Sequence, residues 1–382
     1  MALTIGALNV QFILQKLVPP PFLINPKTLE ITKNPNTQNK RLKLIKTLLI
    51  SSIFYHLVFA IVRLLLINFR TVRDEDLFQN YIYFVVISMT AIALKSYTVL
   101  ETSESEIRFL LKERFKLGPA KCLNHLELNT LFIYLFAMIF LAYPIMVISI
   151  PFHLEFDPLQ VVIISVFSSY YAYPSFKYGT KIFASLIYAT TTFYGAQLVL
   201  TVMLVATIDL EGMKYYTSKL FSNSTAIDTT YNATLSQFKI CRWRFNITQI
   251  LIKVANDIFS KFLFVLVTFG MGLGAGSGYA AISLYDVLPA ASYYATLCIL
   301  GICVTYDFLH FPLAAVPNRN GAKFVFFWKH KILGKMENLQ LRACPRIAYS
   351  LGPIRRISKS TTFAIADCIL NWTVDLSLIN ST

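Results

Sequence analysis

Charge is scarce in this 382-residue chain: 14% of its residues are Asp, Glu, Lys or Arg, against 55% hydrophobic, and its mean hydropathy is +0.56. A soluble domain of ordinary composition has about a quarter of its residues charged, so this balance requires a polytopic membrane protein. Catalytic signatures are missing too. The five histidines, His56, His125, His153, His310 and His330, make no HxxH or HExxH cluster, and there is no GxSxG. These gaps remove the usual membrane metal hydrolases, desaturases and serine hydrolases, so neither an enzyme, a metal nor a cofactor is expected. No CxxC pair joins the six cysteines, Cys122, Cys241, Cys298, Cys303, Cys344 and Cys368; Cys298 and Cys303 fall in one apolar run and read as packing residues. Neither a TVGYG-like filter nor an Arg at every third position occurs, which excludes a potassium channel or voltage sensor of the familiar kind.

What charge there is has one dominant sign, +15 net. The basic residues fall in short segments between apolar runs, the pattern of cytoplasmic membrane flanks, so no nucleic-acid partner is expected. Seven spans of roughly 20 residues can be drawn, at 44–68, 81–100, 131–150, 183–208, 254–280, 289–308 and 361–379. Of the 35 Lys and Arg, 27 lie before the first span and in alternate gaps after it; the opposite gaps hold four. The last four, Lys46, Arg63, Lys95 and Lys261, lie within spans. This asymmetry predicts an all-α membrane protein with seven transmembrane helices, a cytosolic N terminus and an extracellular C terminus.

The organisation follows. Residues 1–43 read as a cytosolic arm, 44–310 as the first six helices with their loops, 311–360 as a basic cytosolic segment, and 361–382 as the last helix with a short outer tail. Residues 101–115 and 309–338 lack the apolar length to span and read as cytosolic helical extensions. Within the second, FVFFWKHKIL reads as a packed helix in preference to a headgroup anchor through Trp328. The run 159–172 is apolar but short, which suits a re-entrant or interfacial segment. Sequons begin at Asn223, Asn232 and Asn246, in a polar loop that the charge count places in the cytosol. In GMGLGAGSG, Gly270, Gly274 and Gly278 share a helix face, which predicts close helix approach, not a phosphate loop.

The final span carries the chemistry. Asp367, Asn371 and Asp375 recur every four residues and Ser360 precedes Asp367 by seven, so one face is polar and acidic. Carboxylates facing lipid are costly, and this face reads as the wall of a cation path. The competing reading pairs Asp367 with Lys95 or Lys261 and leaves Asp375 at the outer interface.

Residues 343–379, ACPRIAYSLGPIRRISKSTTFAIADCILNWTVDLSLI, resemble the end of the arthropod chemoreceptor superfamily of gustatory and odorant receptors. They show a small polar turn, a Gly, a basic-apolar linker and a Thr-aromatic start to the last helix. Thr362-Phe363 matches the gustatory Thr-Tyr, whereas Ile369-Leu370 stand where Gln-Phe belongs, so the chain looks like a divergent gustatory-type member. The resemblance implies a tetrameric, ligand-gated, non-selective cation channel of the plasma membrane, homomeric or heteromeric, opened by a small tastant or odorant. It also implies a pocket in the outer half of the second, third, fourth and sixth spans. Depth alone nominates Tyr83 and Phe84, Tyr143 and Met146, Tyr188, and Tyr293 and Tyr294 for that pocket. A G-protein-coupled receptor and a small-solute transporter are the alternatives.

Overall fold

The computed structural model describes residues 22–24, 31–33, 40–68, 74–117, 163–164, 166–167, 173–225, 231–286, 290–331, 334–353 and 355–379. Eight helices carry most of them: α1 Lys40–Asn68, α2 Asp74–Thr102, α3 Glu104–Leu117, α4 Pro174–Thr225, α5 Tyr231–Ser283, α6 Ala290–Lys329, α7 Lys335–Arg342 and α8 Lys359–Ile379. Two small antiparallel hairpins complete the description, β1 Phe22–Ile24 with β2 Ile31–Lys33, and β3 Ser350–Leu351 with β4 Arg355–Arg356. Five helices among the described residues, α1, α2, α4, α5 and α6, are long and apolar enough to cross a membrane. The chain is thus an all-helical, multi-pass membrane protein. α8 is not among the five. The third expected span and most of 159–172 lie outside the described residues.

The helices are longer than a bilayer needs. At 52 and 53 residues, α4 and α5 each extend for roughly 80 Å, against about 30 Å of hydrocarbon. Residues 209–225 and 231–253, expected as a polar loop, are therefore helix continuous with the spans. Met213 of the first segment and Phe238 and Phe245 of the second are buried in the shared core, a packing that sequence periodicity next to an apolar run does not announce. The sequon at Asn246 lies within α5, where its Thr248 is fully buried and bonds the Arg244 carbonyl. The expected extension of the second span is present as α3. Only Ser103 interrupts the path from α2, the backbone bonds continue through it, and Glu104 pairs with Arg108. α6 likewise runs on through Pro312 and Pro317 to Lys329.

These projecting ends share one core. Trp328 is fully buried, its ring 5.1 Å from Phe238 of α5, while Phe245 stacks on Phe324 at 4.8 Å. The aromatic-basic stretch is thus packed helix as far as Lys329, and Ile332 and Leu333 lie outside the described residues. Among the described residues Cys241, Cys298, Cys303, Cys344 and Cys368 are all free. Cys344 bonds the Gln340 carbonyl, and burial pushes its thiol up, with nearby Arg242 partly offsetting the effect.

The segment leading into α8 is strapped to the bundle. Asn256 of α5 donates to the Ala348 carbonyl at 3.1 Å and accepts from the Ser350 amide at 2.8 Å, holding the backbone on either side of Tyr349 in the sequence. The turn passes through Gly352 at φ +59°, whose amide bonds the Ser260 carbonyl; a side chain there would meet Phe264. Buried Tyr349 donates to buried Asp209 of α4 at 2.6 Å. Tyr349→Phe removes a donor from a buried carboxylate, so it should cost about 1–3 kcal/mol of stability. Thermal melting of the purified protein in detergent checks this; an unchanged melting temperature would show the bond to be immaterial.

Candidate functional site

α8 meets the bundle through one face only. Thr361, Thr362, Ile365, Ile369 and Thr373 are buried, and they repeat at helical spacing. The close fit comes from glycine on α5. A methyl on Gly274 would lie 3.2 Å from Ile369, and one on Gly278 would lie 2.7 Å from Thr373 Oγ1. Thr373 also reaches the Ala275 carbonyl at 3.4 Å. Gly274 and Gly278 thus provide the close approach expected of them. Gly270 does not, having nothing within 4 Å of such a methyl.

The polar stripe lies on the opposite side of α8. Ser360, Asp367, Asn371 and Asp375 are all exposed in the single chain. Among the described residues Asp367 makes no ion pair with Lys95, Lys261 or any other group, so the pairing alternative finds no support. Apolar residues share this open side: Phe363, Leu370, Val374 and Leu378 are each more than half exposed. Ser360 bonds Ser358 at the helix start, 2.9 Å between hydroxyl oxygens.

The residues nominated for the pocket separate into three places. Tyr83 is buried against α1, beside Ala60 and 6.4 Å from the Phe59 ring. Tyr188 of α4 also faces α1, its ring 4.4 Å edge-on from His56. Phe84, one position on from Tyr83, turns to α5 and fills the notch left by Gly272 and Gly276. Tyr293 packs near Tyr279, Leu284 and Tyr81, while neighbouring Tyr294 is exposed. Tyr143 and Met146 lie outside the described residues.

Two polar residues in these places were not nominated. Tyr81 joins α2 to α5 through its hydroxyl, 3.1 Å from Ser277. His56 sits in the α1–α4 seam, where Ser52 and Thr191 hydroxyls are 3.3 Å apart. Seven-residue spacing from Arg63 marked the face of His56, yet no local pattern points from α1 to α4. Arg63 itself reaches back over the Phe59 ring at 5.7 Å.

No protein-family model and no curated protein matches the chain. Solved structures do match along its whole length. The insect olfactory receptor OR5 from Machilis hrabei, in complex with eugenol, superposes with a TM-score of 0.69 over 98% of both chains at 10% identity. A second structure of that receptor gives a TM-score of 0.61 over 96% of both chains at 12% identity. The chain therefore has the fold of an insect olfactory receptor.

The α5–α8 contact yields a test. Gly278→Ala should destabilise the protein by about 1–3 kcal/mol through overpacking against Thr373, and Thr373→Ala in the same chain should restore much of the loss. Melting of the single and double variants measures the coupling, and additive losses would place the strain elsewhere.

Proposed function

We propose that this chain is a chemosensory receptor subunit, a ligand-gated, non-selective cation channel of the plasma membrane opened by a small organic molecule. Support for the class comes from the whole-length likeness to olfactory receptor OR5, one structure of which is a complex with eugenol. A single observation carries the channel mechanism, namely the exposed side of α8. There Asp367, Asn371 and Asp375 are interleaved with Phe363, Leu370 and Val374. Lipid suits the apolar residues and penalises the carboxylates; water does the reverse. A symmetric assembly satisfies both, with apolar residues between neighbouring subunits and the stripe facing a water-filled axis. A tetramer would set four copies of each carboxylate around that axis, where rings of acidic side chains favour cations.

In this reading Ser360, Asp367, Asn371 and Asp375 line the path. Tyr83, Phe84, Tyr188, Tyr293 and Tyr294, together with Tyr143 and Met146, are candidates for the ligand site. The ligand opens the path only through higher affinity for the open form. The strap at 344–358 joins α8 to α4 and α5, so a rearrangement of those helices on ligand binding reaches the path directly. The third and last spans complete seven crossings, with the N terminus cytosolic and the C terminus outside. The Thr362-Phe363 start of α8 favours a gustatory-type subunit, whereas the solved relatives in fold are olfactory.

Two measurements test the proposal. A tag after Thr382 should stain on intact cells; staining only after permeabilisation would overturn the seven-span orientation. In patch-clamp recordings under a salt gradient, Asp367→Asn should lower the cation-to-anion permeability ratio and move the reversal potential toward that of chloride. A reversal potential unchanged in Asp367→Asn and in Asp375→Asn would remove the stripe from the path.

A further inference from the structure

His56 lies just past the middle of the span Lys43–Leu65 and is 3% exposed, although much of α1 is exposed along its length. Its two ring nitrogens are in different situations. Nδ1 is 2.6 Å from the backbone carbonyl oxygen of Ser52, an atom that can only accept a hydrogen bond. Nδ1 therefore carries the hydrogen, and in the neutral ring Nε2 presents a lone pair. That nitrogen is buried and has no hydrogen-bond partner among the described residues. A buried acceptor without a donor is an unmet demand in a bundle whose other seam hydroxyls, Ser52 and Thr191, lie within reach of each other.

The neighbours of the ring are largely aromatic. Tyr188 stands edge-on to the imidazole at 4.4 Å, and Tyr55 flanks it at 5.9 Å. One turn along α1, Phe59 and Ala60 pack on Tyr83. Aromatic rings thus flank an imidazole whose Nε2 is an orphan acceptor. We propose that His56 is a specificity-determining residue for the ligand, its Nε2 accepting a hydrogen bond from a small, largely apolar molecule bearing one hydroxyl or N–H group. This inference rests on the reading of Tyr83 and Tyr188 as pocket residues and extends the pocket to α1. The chemistry excludes as well as selects. A methyl ether has no hydrogen to offer, and a carboxylate brings a lone pair against a lone pair. A site built around a hydrogen bond discriminates strongly against an analogue lacking the group, because its own polar atom is then left unpaired.

The test uses matched probes: eugenol, guaiacol and 1-octanol, each against its O-methyl ether. Binding to the purified full-length chain in nanodiscs is measured by ligand-induced thermal shift, and currents are recorded separately in cells. The wild type should prefer the hydroxyl member of at least one pair by about tenfold or more. His56→Leu should abolish that preference while leaving ether binding within about twofold. His56→Gln, which carries an amide near the place of Nε2, should keep part of it. Equal binding of alcohols and ethers by the wild type, no binding of any probe, or a preference that survives in His56→Leu, overturns the inference. Where His56→Leu melts far below the wild type, His56→Gln decides, and loss of hydroxyl and ether binding in equal measure there counts against the proposal. Hydroxyl-selective binding without any evoked current would sink the channel reading and leave the role of His56 standing. Currents evoked equally by both members of every pair would do the opposite.

Discussion

Helix α5 makes its closest contacts through missing side chains. Gly272 and Gly276 leave a notch for Phe84 of α2, and on an adjoining face Gly274 and Gly278 admit Ile369 and Thr373 of α8. In lipid, helices gain little from hiding apolar surface from one another, so close approach and dispersion decide which pairs associate. A β-carbon at Gly278 would crowd Thr373, and one at Gly272 would meet the tip of the Phe84 ring. The two contacts place α5 between the helix that carries two pocket candidates and the helix that carries the acidic stripe.

Away from the membrane segments the logic changes to aromatic burial and hydrogen bonds. Trp328, Phe324, Phe245 and Phe238 form a core that the projecting ends of α5 and α6 build together. Asn256, Ser260 and Asp209 then hold the strand segment before α8 by its backbone and by Tyr349. The last helix is thereby fixed at its start by polar bonds and along its length by glycine packing. Its outward side carries acidic and bulky apolar residues together, all exposed in the single chain.

The polar groups inside the bundle divide by whether the fold satisfies them. Thr201, Thr207 and Thr248 donate to carbonyls one turn back on their own helices, which conceals a hydroxyl at little cost. His56 is satisfied on one nitrogen only. The difference is chemical: a hydroxyl can turn to a nearby carbonyl, whereas a rigid ring with its nitrogens on different sides needs two partners in two directions.

Much of the architecture was legible in residues 1–382 as a string. Apolar run length and the scarcity of charge establish a multi-pass helical protein, because a bilayer penalises polar surface on any segment that crosses it. Four-residue spacing put Asp367, Asn371 and Asp375 on one face, and the same spacing linked Gly274 to Gly278. Those are local facts of helix geometry. Which face met which neighbour was decided only in three dimensions. Gly272 and Gly276 serve α2 while Gly274 and Gly278 serve α8; Tyr83 and Phe84, adjacent in the chain, turn to different helices; residues 209–225 and 231–253 are helix continuous with the spans. Side chains brought together from different helices determine each of these outcomes, and a helical repeat carries no record of what lies opposite it.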